Sequence, residues 1–302
     1  MRHDFDSGVM QHIKRAGYHF KQGSSRSDDQ YFTDAIYRTN QAFEGMLKEA
    51  YAVLANSNTD KTPYQIEQYF ESNSVFNTRV VIAFKRYRQE WRNSSTHNHK
   101  LFFGKQDAYL AILNVSAFVF ILLDQIVEHV AYKSTTALMD SRPKAARSSG
   151  KQMPLIDSLI AELKDFASTL AGHSKISTSS QLMGALSAYL MNQIPNVEVD
   201  TDLLIPSDHG DVRPDIVVSH PVSNERIVLE LKSRYSKAHH DATVDQVGLY
   251  LKAASLRTGV VYYHDGRDDV MYETEVRKIG ELTVYTVLPR LNRSEKAKSG
   301  KR

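Results

Sequence analysis

Apolar residues recur at helical steps through the first half of the chain and in short strand-like runs through the second. Phe32, Ile36, Phe43, Leu47, Tyr51 and Leu54 return at three- and four-residue steps or their sum, so a helix with one apolar face is expected over 29–55. Ser27-Asp28-Asp29-Gln30 ahead of it reads as a capping box, with Ser27 and Gln30 as the reciprocal pair. Asn56 to Asp60 breaks that helix, and Pro63 can open a short second one. A third helix is expected over 75–92, followed by a polar loop over 93–100 and a long apolar helix over 105–132. The stretch Ala108 to Leu123 is shorter than the roughly 20 residues that a bilayer span requires. It also contains Asn114 and Ser116 and is followed at once by Asp124 and Gln125, so it reads as a buried bundle helix in preference to a membrane span.

The rest of the pattern divides the chain. Residues 1–28 are polar and read as irregular, with a short helix around Val9 to Ala16. Residues 133–153 are rich in Ser, Thr, Lys and Arg and hold Pro143 and Gly150, which suggests a mobile basic linker between two domains, 29–132 and 154–289. A bridging helix is expected over 155–171. Thr178 and Gln181 could then cap a helix carrying Leu182, Leu186, Tyr189 and Leu190, ended by Pro195. Strands are expected over 197–205, 215–219 and 226–232, then a helix over 243–256, a strand over 259–264 and an edge strand over 282–288. The fold expected is therefore an all-α helical bundle followed by an α/β domain of order αβββαβ, with a basic, frayed tail over 290–302.

Composition narrows this picture little. A length of 302 residues suits two domains, and 41% hydrophobic residues suffice for cores. A net charge of +3 and a pI near 8.8 are compatible with nucleic acid as a partner without demanding it. The absence of cysteine excludes disulfides and thiolate metal sites and makes a reducing cytoplasm the simple expectation. The N-terminal MRHDFDSGVM has no apolar core of signal-peptide type, and no membrane is expected as a partner.

The chemistry concentrates in two places. In the second half, Asp215 opens one expected strand and Glu230 lies near the end of the next, so a hairpin can bring them together. Glu230 and Lys232 leave the same face of their strand, and Gln246 and Tyr250 share a helix face that could look onto them. Phosphodiester hydrolysis is hindered by the anionic oxygens, and a bound Mg²⁺ both neutralises them and acidifies water. Mg²⁺ takes hard oxygen ligands, and one or two carboxylates suffice. A lysine beside such a site can orient the water and take up or stabilise its proton.

Pro214-Asp215, Glu230-Leu231-Lys232 and Gln246-x-x-x-Tyr250 resemble the PD-(D/E)xK nuclease superfamily, the restriction-endonuclease-like fold, and the last motif resembles its RecB-like branch. The resemblance covers roughly 178–288. It implies that Asp215 and Glu230 bind Mg²⁺ or Mn²⁺ with help from the Leu231 carbonyl, that Lys232 assists the attacking water, and that Gln246 and Tyr250 support the site or contact the nucleic-acid backbone. Many members carry a further glutamate on the first core helix. Here Gln181 stands where it would be sought and no acid follows before Gln193, which favours a single metal.

The other place is Arg92-Asn93-Ser94-Ser95-Thr96-His97, at the end of the third helix. Metal-free RNA cleavage uses the 2′-hydroxyl and needs a base near neutral pKa and a cation for phosphate, which suit histidine and arginine. The segment resembles the HEPN superfamily of small helical bundles, whose motif is arginine, a polar residue and a histidine a few positions on. That resemblance implies a homodimer through the helical domain with a composite RNase site, Arg92 and His97 catalytic, Asn93 supporting and no metal. His99 is one residue too distant from Arg92 and His97 is preferred. Lys85, Arg88 and Arg92 share a helix side that reads as a solvated charged face, and Trp91 reads as packed. His209-Gly210-Asp211 and His239-His240-Asp241 read as solvated turns and not as metal sites.

Together the two resemblances imply a cytoplasmic nuclease acting on DNA or RNA, with a place in bacterial defence against phage or plasmids and a possible partner protein of such a system. The competing expectation is a dimerising nucleic-acid-binding subunit with one or both sites inactive, including a version in which the α/β half is the sensor of a HEPN RNase.

Overall fold

A computed structural model of the chain describes residues 8–57, 61–73, 75–93, 102–142, 153–170, 176–207, 210–267 and 270–290. The chain divides into two compact units, 1–129 and 130–302. The first is helical and the second is built on a six-stranded mixed sheet, so a helical region followed by an α/β region is what the chain folds into.

The first unit holds α1 (Gly8–Arg26), α2 (Asp29–Leu54), α3 (Pro63–Asn73), α4 (Thr78–Tyr87) with a π-helical turn (Arg88–Arg92), and the start of α5 (Lys105–Asp140). Its core gathers around Phe43, whose ring centroid lies 4.7 Å from Tyr87 and 4.9 Å from Phe118. The buried Tyr87 hydroxyl lies 2.7 Å from Thr39 Oγ1 and 2.9 Å from Asn40 Oδ1, which satisfies it inside the bundle. The short helix expected around Val9 to Ala16 is present, and the irregular remainder expected of 1–28 is corrected by α1, which extends to Arg26. Helix pairing overrides its polar composition here: Val9, Ala16 and Gly23 are buried, and a Cβ at Gly23 would stand 2.8 Å from the Phe32 ring. The capping box is also corrected. Ser27 takes a left-handed φ of 53°, and Asp28 caps α2 by accepting the Gln30 N–H at 3.0 Å.

α5 buries Ala108, Ala111, Val115, Phe118, Leu122 and Ile126 on one face. Tyr109, Leu110, Leu113 and Phe120 are exposed on another. By length and composition alone α5 is apolar enough to cross a membrane, yet its buried face belongs to the bundle core. It also continues to Asp140, through residues expected to be linker, because Met139 is buried in the core of the second unit with Ala131 and Leu138 against it.

The second unit holds α6 (Leu155–Leu170), α7 (Ser179–Gln193), β1 (Glu198–Thr201), β2 (Ile216–His220), β3 (Glu225–Lys232), α8 (Lys237–Ala253), β4 (Thr258–Tyr263), β5 (Tyr272–Ile279) and β6 (Leu282–Pro289). Thr178 caps α7 as expected, its hydroxyl accepting the Gln181 N–H at 3.1 Å. The order of helix, three strands, helix and strand is as expected. The strand order in the sheet is β1-β2-β3-β4-β6-β5, with β3, β4 and β6 mutually parallel. One edge is corrected: β6 lies inside the sheet, and β5, for which no strand was expected, pairs with it antiparallel to form the edge.

Both faces of the sheet are covered, which explains the continuous apolar runs of β3 and β4. Ile227, Leu229, Leu231, Val260 and Tyr262 pack with α6 and α7. Val228, Val261 and Tyr263 pack with Val244, Val247 and Leu251 of α8. The helix comes so close that a Cβ at Gly259 would meet the Val247 side chain at 2.5 Å. Gly259→Ala is therefore expected to cost about 2 kcal/mol by overpacking, a fall of roughly 4–8 °C in melting temperature for a unit of this size. Strand propensity alone favours alanine, so a melting temperature at or above that of the parent would contradict this close approach.

Candidate active site

Antiparallel pairing sets Ile216 opposite Leu229, so the next pair along β2 and β3 is Asp215 opposite Glu230. Asp215 Oδ2 accepts the Leu231 N–H at 2.7 Å, which fixes its carboxylate across the end of β3. Glu230 and Lys232 project on the α8 side, two residues beyond Val228 and four. Lys232 Nζ donates to Glu230 Oε1 at 2.7 Å. Glu230 is 4% exposed, and its other oxygen, Oε2, is buried with no partner.

Burial pushes the Glu230 carboxyl above the usual carboxylate range, the neighbouring Asp215 charge adds to that, and the Lys232 hydrogen bond opposes it. Burial likewise raises Asp215, against the Leu231 N–H and the charge of Lys232. For Lys232 burial lowers the pKa, but the Glu230 hydrogen bond and the two carboxylate charges outweigh it and the net direction is up. The corner therefore holds the buried Glu230, the half-buried Asp215 and one ammonium, with an acceptor oxygen left over. A divalent cation with hard-ligand preference fits that donor set: the free Glu230 Oε2, Asp215 and the Leu231 carbonyl are all oxygens. Among the described residues no group of three or more His, Asp or Glu side chains could hold a metal, so the two carboxylates carry any such site with backbone and solvent.

α8 brings the remaining pair. Gln246 Nε2 donates to the Tyr250 hydroxyl, and the Tyr250 phenol, raised chiefly by burial, feels the charges of Glu230, Asp215 and Lys232. Asp215, Glu230, Lys232, Gln246 and Tyr250 thus occupy one corner of the second unit. Asp202 and Arg213 join this corner without belonging to any of the motifs. Thr201 pairs with Ile216, which puts Asp202 beside Asp215, and its charge helps to raise the Asp215 pKa. Asp202 takes a left-handed φ of 57°, and Arg213 Nη1 binds its carboxylate at 2.8 Å. The visible signal for this pair was an arginine directly before Pro214-Asp215.

In the first unit Arg92 ends the π-helical turn, with Nη1 donating to Asn93 Oδ1 at 3.3 Å and Nε 3.6 Å from Glu44 Oε1. Such turns are found disproportionately at functional sites. Arg88 lies 3.5 Å from the buried Glu67 and 3.0 Å from Glu71. The shared basic side is thus met by acids at Arg88 and Arg92, and Trp91 is buried as expected. His97 and the spare His99 lie outside the described residues, as does His209. His239 and His240 open α8, where His240 Nδ1 lies 3.2 Å from the Tyr263 hydroxyl.

No protein-family model, no curated protein and no solved structure matches the chain.

The raised Glu230 pKa has a measurable sign. A carboxyl whose folded pKa is raised contributes stability that is present below the unfolded pKa and is lost as pH rises through the folded value. In chelator, Glu230→Gln is therefore expected to melt a few degrees above the parent near neutrality, with the gap closing toward about pH 4. A variant less stable than the parent across that range would contradict the incomplete compensation of this buried carboxylate.

Proposed function

We propose that the chain is a nuclease whose second unit is a PD-(D/E)xK-type phosphodiester hydrolase and whose first unit is a HEPN-type bundle. The observation that carries the reading is the unpartnered buried Glu230 Oε2 beside Asp215, with Lys232 2.7 Å from the other oxygen of the same carboxylate. Asp215, Glu230 and the Leu231 carbonyl would hold Mg²⁺ or Mn²⁺, which when bound neutralises the phosphate and lowers the pKa of water. Asp215 is oriented for this by the Leu231 N–H.

Lys232 stays an ammonium in this environment. It therefore orients the attacking oxygen and stabilises the charge building on phosphorus; it does not act as the base. The water oxygen attacks phosphorus, the bond to the leaving sugar oxygen breaks, and the proton lost by water is balanced by one gained at that oxygen. Gln246 holds the Tyr250 hydroxyl at the rim, where the pair can donate to a backbone phosphate. DNA is the substrate favoured by the resemblance, which also carries the proposals of a bacterial defence role and a cytoplasmic location.

The second activity, metal-free RNA cleavage by Arg92 and His97 with Asn93 in support, is favoured by one observation: the π-helical turn that delivers Arg92 to the end of α4. The homodimer this needs has a candidate face in the exposed apolar row Tyr109, Leu110, Leu113 and Phe120.

Cleavage of labelled RNA and duplex DNA, each in Mg²⁺ and in EDTA, separates these readings. DNA cutting is expected to vanish in EDTA and in Asp215→Ala, a loss of at least a hundredfold given what a metal ligand contributes to charge stabilisation. RNA cutting that survives EDTA is expected to vanish in His97→Ala. Cutting of DNA that persists in Asp215→Ala would overturn the assignment of the metal site. Silence throughout would leave a dimerising nucleic-acid-binding subunit as the better account.

A further inference from the structure

The loop that leaves the carboxylate corner, Ser233 to Ser236, joins β3 directly to α8 and carries Arg234 and Tyr235, with Lys237 opening the helix. Tyr235 is half-buried, and its ring is held from two sides. It meets Tyr263 edge-on, with centroids 5.2 Å apart at 81°, and lies 5.7 Å from His240. Tyr263 is itself anchored, because it pairs with Lys232 across β3 and β4 and its hydroxyl lies 3.2 Å from His240 Nδ1. The Tyr235 ring is thus a fixed platform beside the catalytic corner, on the α8 face of the sheet to which Glu230 and Lys232 also point.

The charges around it are mixed: Glu273 and Glu275 of β5 and Asp241 of α8 act on the Tyr235 phenol, and Glu275 lies 3.8 Å from His240 Nε2. Arg234 and Lys237 are exposed, and among the described residues neither has an ion-pair partner. The acids nearby on α8 are engaged elsewhere: Asp241 pairs with Arg277 at 2.8 Å, and Asp245 lies 3.8 Å from the same guanidinium. This differs from the first unit, where Arg88 and Arg92 each face a glutamate. A held aromatic ring flanked along the chain by two exposed cations is a combination that can bind a nucleic-acid strand with an unpaired base, through stacking on the ring and contacts to nearby phosphates.

We propose that Arg234, Tyr235 and Lys237 form a subsite for single-stranded nucleic acid next to the scissile phosphate, with Tyr235 stacking a base and the two cations holding the flanking phosphates. The subsite rests on the nuclease reading for its purpose but not for its detection, because binding can be read without cutting.

The test is fluorescence anisotropy of labelled single-stranded DNA on the full chain carrying Asp215→Asn, in chelator, over a range of salt concentrations. Adding Tyr235→Ala is expected to weaken binding about tenfold, the scale of one lost stacked base, while Tyr235→Phe binds as the parent does. Adding Arg234→Ala and Lys237→Ala together is expected to flatten the slope of log Kd against log salt by about 1.4, from two phosphate contacts on a single strand. Both cations are exposed, so this arm stands even where Tyr235→Ala fails to fold. Absence of binding by the parent, or parent-like affinity and slope in either arm, overturns the subsite. A chain that cuts DNA but binds regardless of these changes sinks the inference alone. A chain that loses binding as described yet never cuts sinks the nuclease reading alone.

Discussion

A buried and a half-buried carboxylate side by side at one corner of a sheet are costly, because neither burial nor mutual repulsion favours their charged forms. Asp215 and Glu230 are in that position, and the structure around them is arranged as partial compensation. The hairpin register sets them opposite each other, the Leu231 N–H takes one oxygen of Asp215, and Lys232 takes one oxygen of Glu230. One Glu230 oxygen is left without a partner. A fold selected for stability alone would replace such a glutamate with an apolar residue, as its strand neighbours Leu229 and Leu231 are. The cation site proposed here would explain why it is kept.

Compensation also explains the placement of α8. Gly259 lets the helix close on β4, and this brings Gln246 and Tyr250 to the carboxylates and His240 to Tyr263. The same contacts fix the loop between β3 and α8, so the carboxylate corner and the proposed strand-binding loop depend on one packing interface.

Much of this was legible in the sequence where burial leaves a periodic trace. β2 is an apolar run opened by Asp215 and β3 an apolar run that reaches Glu230 near its end, α7 carries its cap in Thr178, and the motif residues follow directly. β5 was not legible, since YETEVRKI is an edge strand with most side chains exposed and only backbone pairing to β6 to define it. Only the Val9 to Ala16 part of α1 was legible, because its contact with α2 runs over Val9, Ala16 and Gly23, small or isolated residues that give little apolar signal. Asp202 and Arg213 escaped because a left-handed backbone turn brings them to Asp215, and no spacing rule announces such a turn. In the first unit the arginines of the π-helical turn read as solvated charge, whereas Glu67 and Glu71 of α3 and Glu44 of α2 come forward to meet them. Burial raises the Glu67 carboxyl, with Arg92 and Arg88 pulling it back.

The proposed role of the Asp215–Glu230 corner is to hold a divalent cation. Calorimetric titration of Mn²⁺ into the full chain tests it most directly, repeated in buffers of different ionisation heat. The account predicts one site per chain, lost in Glu230→Gln, with proton release on binding because the raised carboxyls must give up their protons to the metal. Binding that survives Glu230→Gln unchanged, or no binding at all at millimolar Mn²⁺, would contradict it.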